Sequence, residues 1–203
     1  MKLFNRIACL FVSVLVVLSC FSCASVSRID YDKEVELDGY WSDTDVRIVC
    51  EDIINQIINS QRIVNFSKDK ERVPVVTIGN INNDSDEYID TEIVANNLKT
   101  TIINSGKFEF LANKDFRDEL RQEVSDQADY ANPEQAKEFA NEDAADYMLS
   151  GSIKTMVQND GKKSLRTYFV TIELNDVETH RTVGIFQPSP ENQPRKMFKG
   201  KKR

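Results

Sequence analysis

Apolar positions recur at helical spacing from Val46 onward. Val46, Val49, Cys50, Ile53, Ile54, Ile57 and Ile58 fall on one stripe of a 3.6-residue period, which predicts an amphipathic helix. Ser42, with Asp45 three positions on, comes close to a capping box, and Trp41 stands where it can staple onto Val46. Cys50 lies on the stripe and reads as a small core residue rather than a reactive thiol. Residues 60–72 are polar and charged and predict a loop. The β-branched run Val73–Gly79 predicts a strand, with Pro74 near its start or on an edge. Asn80–Asp86 is rich in turn formers and predicts a loop. Asp90 then caps a second helix carrying Ile93, Val94, Leu98, Ile102 and Ile103, which Gly106 closes. Lys107–Leu111 predicts a short strand.

Phe116, Leu120 and Val124 recur every four residues and predict a strongly charged third helix. Asn132, Pro133 and Gln135 supply the cap, first-turn proline and third-position side chain of a fourth. From Ala145 the period changes to two. A strand leads to an Asn159–Gly161 hairpin turn. The return strand puts Tyr168, Val170, Ile172 and Leu174 on one face and Thr167, Phe169, Thr171 and Glu173 on the other. A turn at Glu178–Arg181 leads to Val183–Phe186. Strands clustered late in the chain predict an α+β class: one small domain, a central mixed or antiparallel sheet flanked by about four helices.

The N-terminus obeys other rules. Lys2 and Arg6 precede Ile7–Leu18, an apolar run of twelve residues. That is too short to span a bilayer core, which needs about 20, and has the size of a secretory h-region. Its downstream edge reads SVLVVLSCFSCASVS. Val17-Leu18-Ser19-Cys20 is similar to a bacterial lipobox, and Cys20 is the favoured site of lipidation, with Cys23 the alternative. The expected organisation is a lipoprotein signal peptide over 1–19 (or 1–22), a lipid anchor and short tether over 20–38, a globular domain over 39–186, and a basic, unstructured tail over 187–203. Neither cysteine is followed by Asp, which points to anchoring in the outer membrane, facing the periplasm.

A formal charge of −7 argues against a nucleic-acid partner. Beyond the anchor region Cys50 is the only cysteine, and His180 is the only histidine in the chain. This excludes a disulfide within the domain, His-rich metal sites and most His-based catalysis. Asp84, Asp86, Glu87, Asp90 and Glu92 crowd one stretch without the spacing of a calcium loop. Carboxylates at a helix N-terminus account for them better. No nucleophile motif and no phosphate-cradling glycine set is present. The residues describe a binding module, with no catalytic constellation, metal site or cofactor expected.

PVVTIGNINNDSDEYIDTEIVANNLKTTIINSGKFEFL (74–111) resembles a segment of the LpoB-type lipoproteins, activators of penicillin-binding proteins. So do DGYWSDTD (38–45), ADYMLSGSI (145–153) and YFVTIELNDVETHRTVGIF (168–186). The resemblance runs in order over residues 38–186. It implies an α+β domain similar to the N-terminal domain of TolB. It implies an outer-membrane lipoprotein that binds a bifunctional peptidoglycan synthase and stimulates glycan polymerisation and cross-linking, without a cofactor. Two departures stand out. The best-known members carry a long Pro-rich linker, whereas about 15 residues here span at most about 50 Å. His180 stands where relatives often have Gly.

Candidate partner-binding residues are Asn80, Asn82, Asn83, Asp84 and Tyr88, in the polar loop after the first strand, because loops on a rigid scaffold commonly carry binding. Two other functions compete. One is a structural role as a small relative of curli-type export lipoproteins, which oligomerisation would favour. The other is an enzyme or small-ligand carrier, which turnover on muropeptides or a bound ligand would favour.

Overall fold

The computed structural model describes residues 39–112, 117–119, 122 and 144–199. Ser42 starts helix α1 (Asp43–Ile58) with the expected reciprocal cap: its hydroxyl accepts from Asp45 N, and its own N donates to Asp45 Oδ2 at 2.9 Å. The predicted stripe, from Val46 to Ile57, is buried. Helix α3 (Thr91–Ser105) is capped by Asp90 and closed by Gly106 at φ +62°, a left-handed position suited to glycine. Helices α1 and α3 pack together, and α3 lies against strands β1 (Val75–Asp84) and β2 (Glu109–Phe110).

A helix α2 (Gln61–Lys70) occupies the stretch predicted as a loop. Its polar composition hides a two-residue anchor. Ile63 is buried, and Phe66, one turn on, meets the Tyr147 ring at 5.6 Å. Short helices owe their stability to such packing more than to propensity.

The sheet runs β2-β1-β3-β4-β5, with β3 (Tyr147–Asn159), β4 (Lys163–Asp176), β5 (Arg181–Phe186) and β6 (Arg195–Lys199); β6 pairs with β4. Strand β1 is parallel to β2 and β3, and every other pairing is antiparallel. The class is therefore α+β with a mixed sheet, as the pattern predicts. Tyr168, Val170, Ile172 and Leu174 of β4 point into the core against the helices. Every buried hydrophobic residue among those described lies between Val46 and Leu174, so a chain beginning at residue 24 retains the whole described core.

Two more expectations are corrected. The predicted loop at Asn80–Asp86 is strand as far as Asp84. Asparagine is a poor strand former, but the long partner β3 overrides local preference. The 187–203 segment is not a featureless tail through Lys199. Strand β4 has 14 residues and β5 has 6, which leaves half of one edge for β6 to pair. Between them, Ser189 donates from N (2.6 Å) and Oγ (2.8 Å) to Asp52 of α1. Partial burial pushes the Asp52 carboxyl up, but the Ser189 bonds, with help from Asn192 and Gln56, more than reverse this and hold it below the usual carboxylate range. The expected third helix is seen only at 117–119 and 122, which are helical. The fourth lies outside the described residues, as do the signal and anchor segments with Cys20 and Cys23.

Candidate partner-binding face

One face of the sheet packs on the helices; the other is turned outward. A β-bulge sets which side chains of β1 reach it. Ile78 pairs with Leu149 and Ile81 with Gly151, so three steps along β1 match two along β3. The extra residue lets both isoleucines face inward and re-aims the rest of the strand. Gly79 sits at the bulge, where a Cβ would meet Met148 Sδ at 2.8 Å. Beyond it, Asn82 pairs with Ser152 and Asp84 with Lys154, side chains outward.

Asn80, Asn82 and Asp84 thereby line one side of a shallow cleft of about 310 Å³; Ser150, Ser152, Thr171 and Glu173 line the other. The walls are amides, hydroxyls and two carboxylates. Asn80 and Asn82 are exposed. The cleft can take up a partner's hydrogen-bond donors or a cationic side chain, but it holds no paired nucleophile and base. The pattern of β4, with Thr171 and Glu173 opposite its apolar face, already carried the signal for the far wall. The expectation of a loop at 80–86 obscured the near one.

The other two candidates separate. Tyr88 stands 90% exposed at the tip of the loop after β1. Asn83 instead fixes that loop: its Nδ2 donates to the carbonyls of Glu87 (2.9 Å) and Ile89 (3.3 Å), and its Oδ1 accepts from Ser85. The neighbouring acids are also engaged. Arg166 of β4 donates to Asp86 (2.8 and 3.0 Å) and Glu87 (2.9 Å), and Thr155 Oγ1 donates to Asp86 Oδ1 at 2.6 Å. The Thr155 bond first, and Arg166 after it, hold the Asp86 carboxyl below its ordinary range. Asp90 serves as the helix cap. Among the described residues no group of three or more His, Cys, Asp or Glu could hold a metal ion.

Cys50 is buried, and burial, with the Glu51 charge second, pushes its thiol up to about 12. It is therefore inert at neutral pH. His180 lies in the exposed turn between β4 and β5. No helix among the described residues is long and apolar enough to cross a membrane.

The described domain is a small α+β unit with a polar outer cleft and an exposed aromatic loop tip. The model of a family described as peptidoglycan-synthase activator LpoB matches residues 45–183, and the chain belongs to that family. Among solved structures it is similar to the LpoB C-terminal domain from Escherichia coli, at 14% identity and a TM-score of 0.44, over 71% of this chain and 98% of that one. The corresponding domain from Salmonella enterica gives 13% and 0.40, over 70% and 96%. The solution structure of Escherichia coli LpoB gives 13% and 0.42, over 83% and 82%. No curated protein sequence matches the chain.

Proposed function

We propose that this chain binds a bifunctional peptidoglycan synthase, a penicillin-binding protein, and stimulates it from the outer membrane, lipid-anchored through Cys20 or Cys23 and facing the periplasm. The observation that carries this reading is the family match across most of the globular domain. The export-lipoprotein alternative has no comparable support.

The proposed contact is the outer cleft of Asn80, Asn82 and Asp84 together with Tyr88. The activator forms no bond in the reaction. It stimulates by binding the active arrangement of the synthase more tightly than the inactive one, and the shift cannot exceed that difference in affinity. Exposed amides and a protruding phenol suit such recognition, since aromatic residues dominate the energetics of many interfaces.

The test adds chain 24–203 to each bifunctional synthase of the same cell and measures lipid II polymerisation. One synthase should accelerate with a saturable dose. Tyr88→Ala and Asn82→Lys should each raise the half-saturating concentration by about tenfold, a hot-spot-sized effect, with unchanged circular dichroism. No acceleration and no co-purification with any synthase would overturn the reading. For the anchor, labelled palmitate should be lost in Cys20→Ala and kept in Cys23→Ala. The reverse result names Cys23, and label retained in both removes the lipoprotein assignment.

A further inference from the structure

The outward face changes character along the strands. Past the acidic cleft, towards the β3–β4 hairpin, it becomes apolar and cationic. Leu165 and Phe169 of β4, Met156 of β3 and Met197 of β6 occupy outward positions by register. Met156 is 53% exposed and Met197 59%. Interleaved with them are Lys154, Lys163, Arg195 and Lys199, all exposed. Lys163 lies opposite Lys199, and Arg195 lies opposite Thr167, beside Met156. Among the described residues no carboxylate occupies an outward position of β6 or of the 155–159 and 163–169 stretches that run beside it, and the nearest acids on this face are those of the cleft, where Asp84 stands 3.9 Å from Lys154. Lys201, Lys202 and Arg203 follow Gly200 in the sequence.

The first described residues pack on the opposite, inward side of β6. Gly39 packs on the inward-facing Phe198 of β6, so closely that a Cβ there would stand 3.2 Å from the ring. Tyr40 meets the same ring at 5.5 Å between centroids. Gly39 and Tyr40, the first described residues, therefore lie beside the strand whose other face presents Arg195, Met197 and Lys199.

We propose that the outward β3–β4–β6 face rests on anionic phospholipid headgroups. The cations neutralise phosphates, and the methionine and phenylalanine side chains reach between headgroups into the acyl boundary. An acidic protein could satisfy the same cations. The lipid surface is favoured because exposed methionine and phenylalanine side chains alternate with the cations on one sheet face, which suits anionic headgroups above an acyl boundary.

Chain 24–203 lacks the lipid and retains the whole described core, so it isolates this contact. It is sedimented with vesicles of phosphatidylcholine alone and of phosphatidylcholine mixed with phosphatidylglycerol. It should bind the anionic vesicles only and detach as salt rises. The triple variant Lys163→Glu, Arg195→Glu, Lys199→Glu should bind at least about tenfold more weakly. Met156→Ser with Met197→Ser should weaken binding several-fold while leaving the preference for anionic lipid. Lys68→Glu with Lys70→Glu, on exposed positions of α2, should bind as the parent does, and circular dichroism should be the same for all. No preference for anionic vesicles, or equal losses in the face and α2 variants, would overturn the proposal. So would a face variant that still binds vesicles but no longer co-purifies with a synthase; the face would then be a protein interface.

Discussion

The two ends of the sheet are closed by ion pairs of opposite character. At the hairpin end, Lys196 Nζ of β6 meets Asp45 Oδ2 of α1 at 2.9 Å, with side-chain exposures of 7% and 11%. Asp45 also accepts from the Ser42 amide and hydroxyl, so one carboxylate caps a helix and fastens the last strand. Beside it Arg166 joins Asp86 and Glu87, while Glu87 accepts from the Trp41 amide at 3.2 Å. At the opposite end Arg72 grips Asp146 with two bonds of 2.7 Å, but the arginine is 48% exposed. Geometry is equally good at both ends and solvation is not. A buried charge stripped of its partner has no water to replace it. An exposed one does.

The largest expected effect breaks the buried pair. Lys196→Ala leaves Asp45 charged and enclosed, and should cost about 3 kcal/mol in a urea titration. Adding Asp45→Asn should recover part of that loss, because the second change removes the stranded charge while keeping a capping side chain. If Lys196→Ala costs no more than an exposed pair, the contrast between the two ends fails.

That prediction rests on a residue the sequence pattern misplaces. Six cations after Gln187 and three prolines look like a solvated end, and the alternation of Lys196 and Phe198 inward with Met197 outward is too short to stand out. Only the unpaired half of β4 gives it meaning, and that is a tertiary fact. The same holds for β1: Asn80–Asp84 carries turn formers, and its strand character comes from β3. Reading it as a loop kept Asn82 and Asn83 together, whereas a strand sends them to opposite sides. By contrast, the α1 cap and stripe, Gly106 and the two faces of β4 were legible, because each is fixed by neighbours within a few residues; of the five apolar positions predicted for α3, Val94, Leu98 and Ile102 are buried while Ile93 and Ile103 stand about half exposed. The positions of the five candidates were therefore only partly legible. Asn80, Asn82 and Asp84 share an outward cleft, while Asn83 is committed to holding the loop.

A direct comparison of the two arginines should give the middle effect. Arg166→Ala removes a guanidinium only 12% exposed that ties two carboxylates, and should cost about 2 kcal/mol. Arg72→Ala should cost about 1 kcal/mol or less. Acid sharpens the same contrast. Asp86 has a lowered folded pKa, so on acidification the unfolded chain takes up its proton first, and the stability it contributes is present above about pH 4 and lost below it. The Arg166→Ala variant should therefore show a shallower fall in stability between about pH 4 and 2 than the parent. An unchanged slope would mean that Asp86 does not contribute through Arg166.

The smallest effect concerns the turns at the same two ends. The hairpin turn holds Gly161 at φ +80°, while the β4–β5 turn holds His180 at φ +56°. Both are left-handed positions, and only one carries the residue suited to them. A side chain there costs about 1–2 kcal/mol, which glycine avoids at an entropic cost of roughly 0.5–1 kcal/mol. His180→Gly should therefore stabilise by about 0.5 kcal/mol, and Gly161→Ala should destabilise by a similar or larger amount. Both should shift the urea midpoint without changing its slope, since neither alters the buried surface. A loss of stability in His180→Gly would mean that the imidazole makes contacts worth more than the backbone strain it imposes.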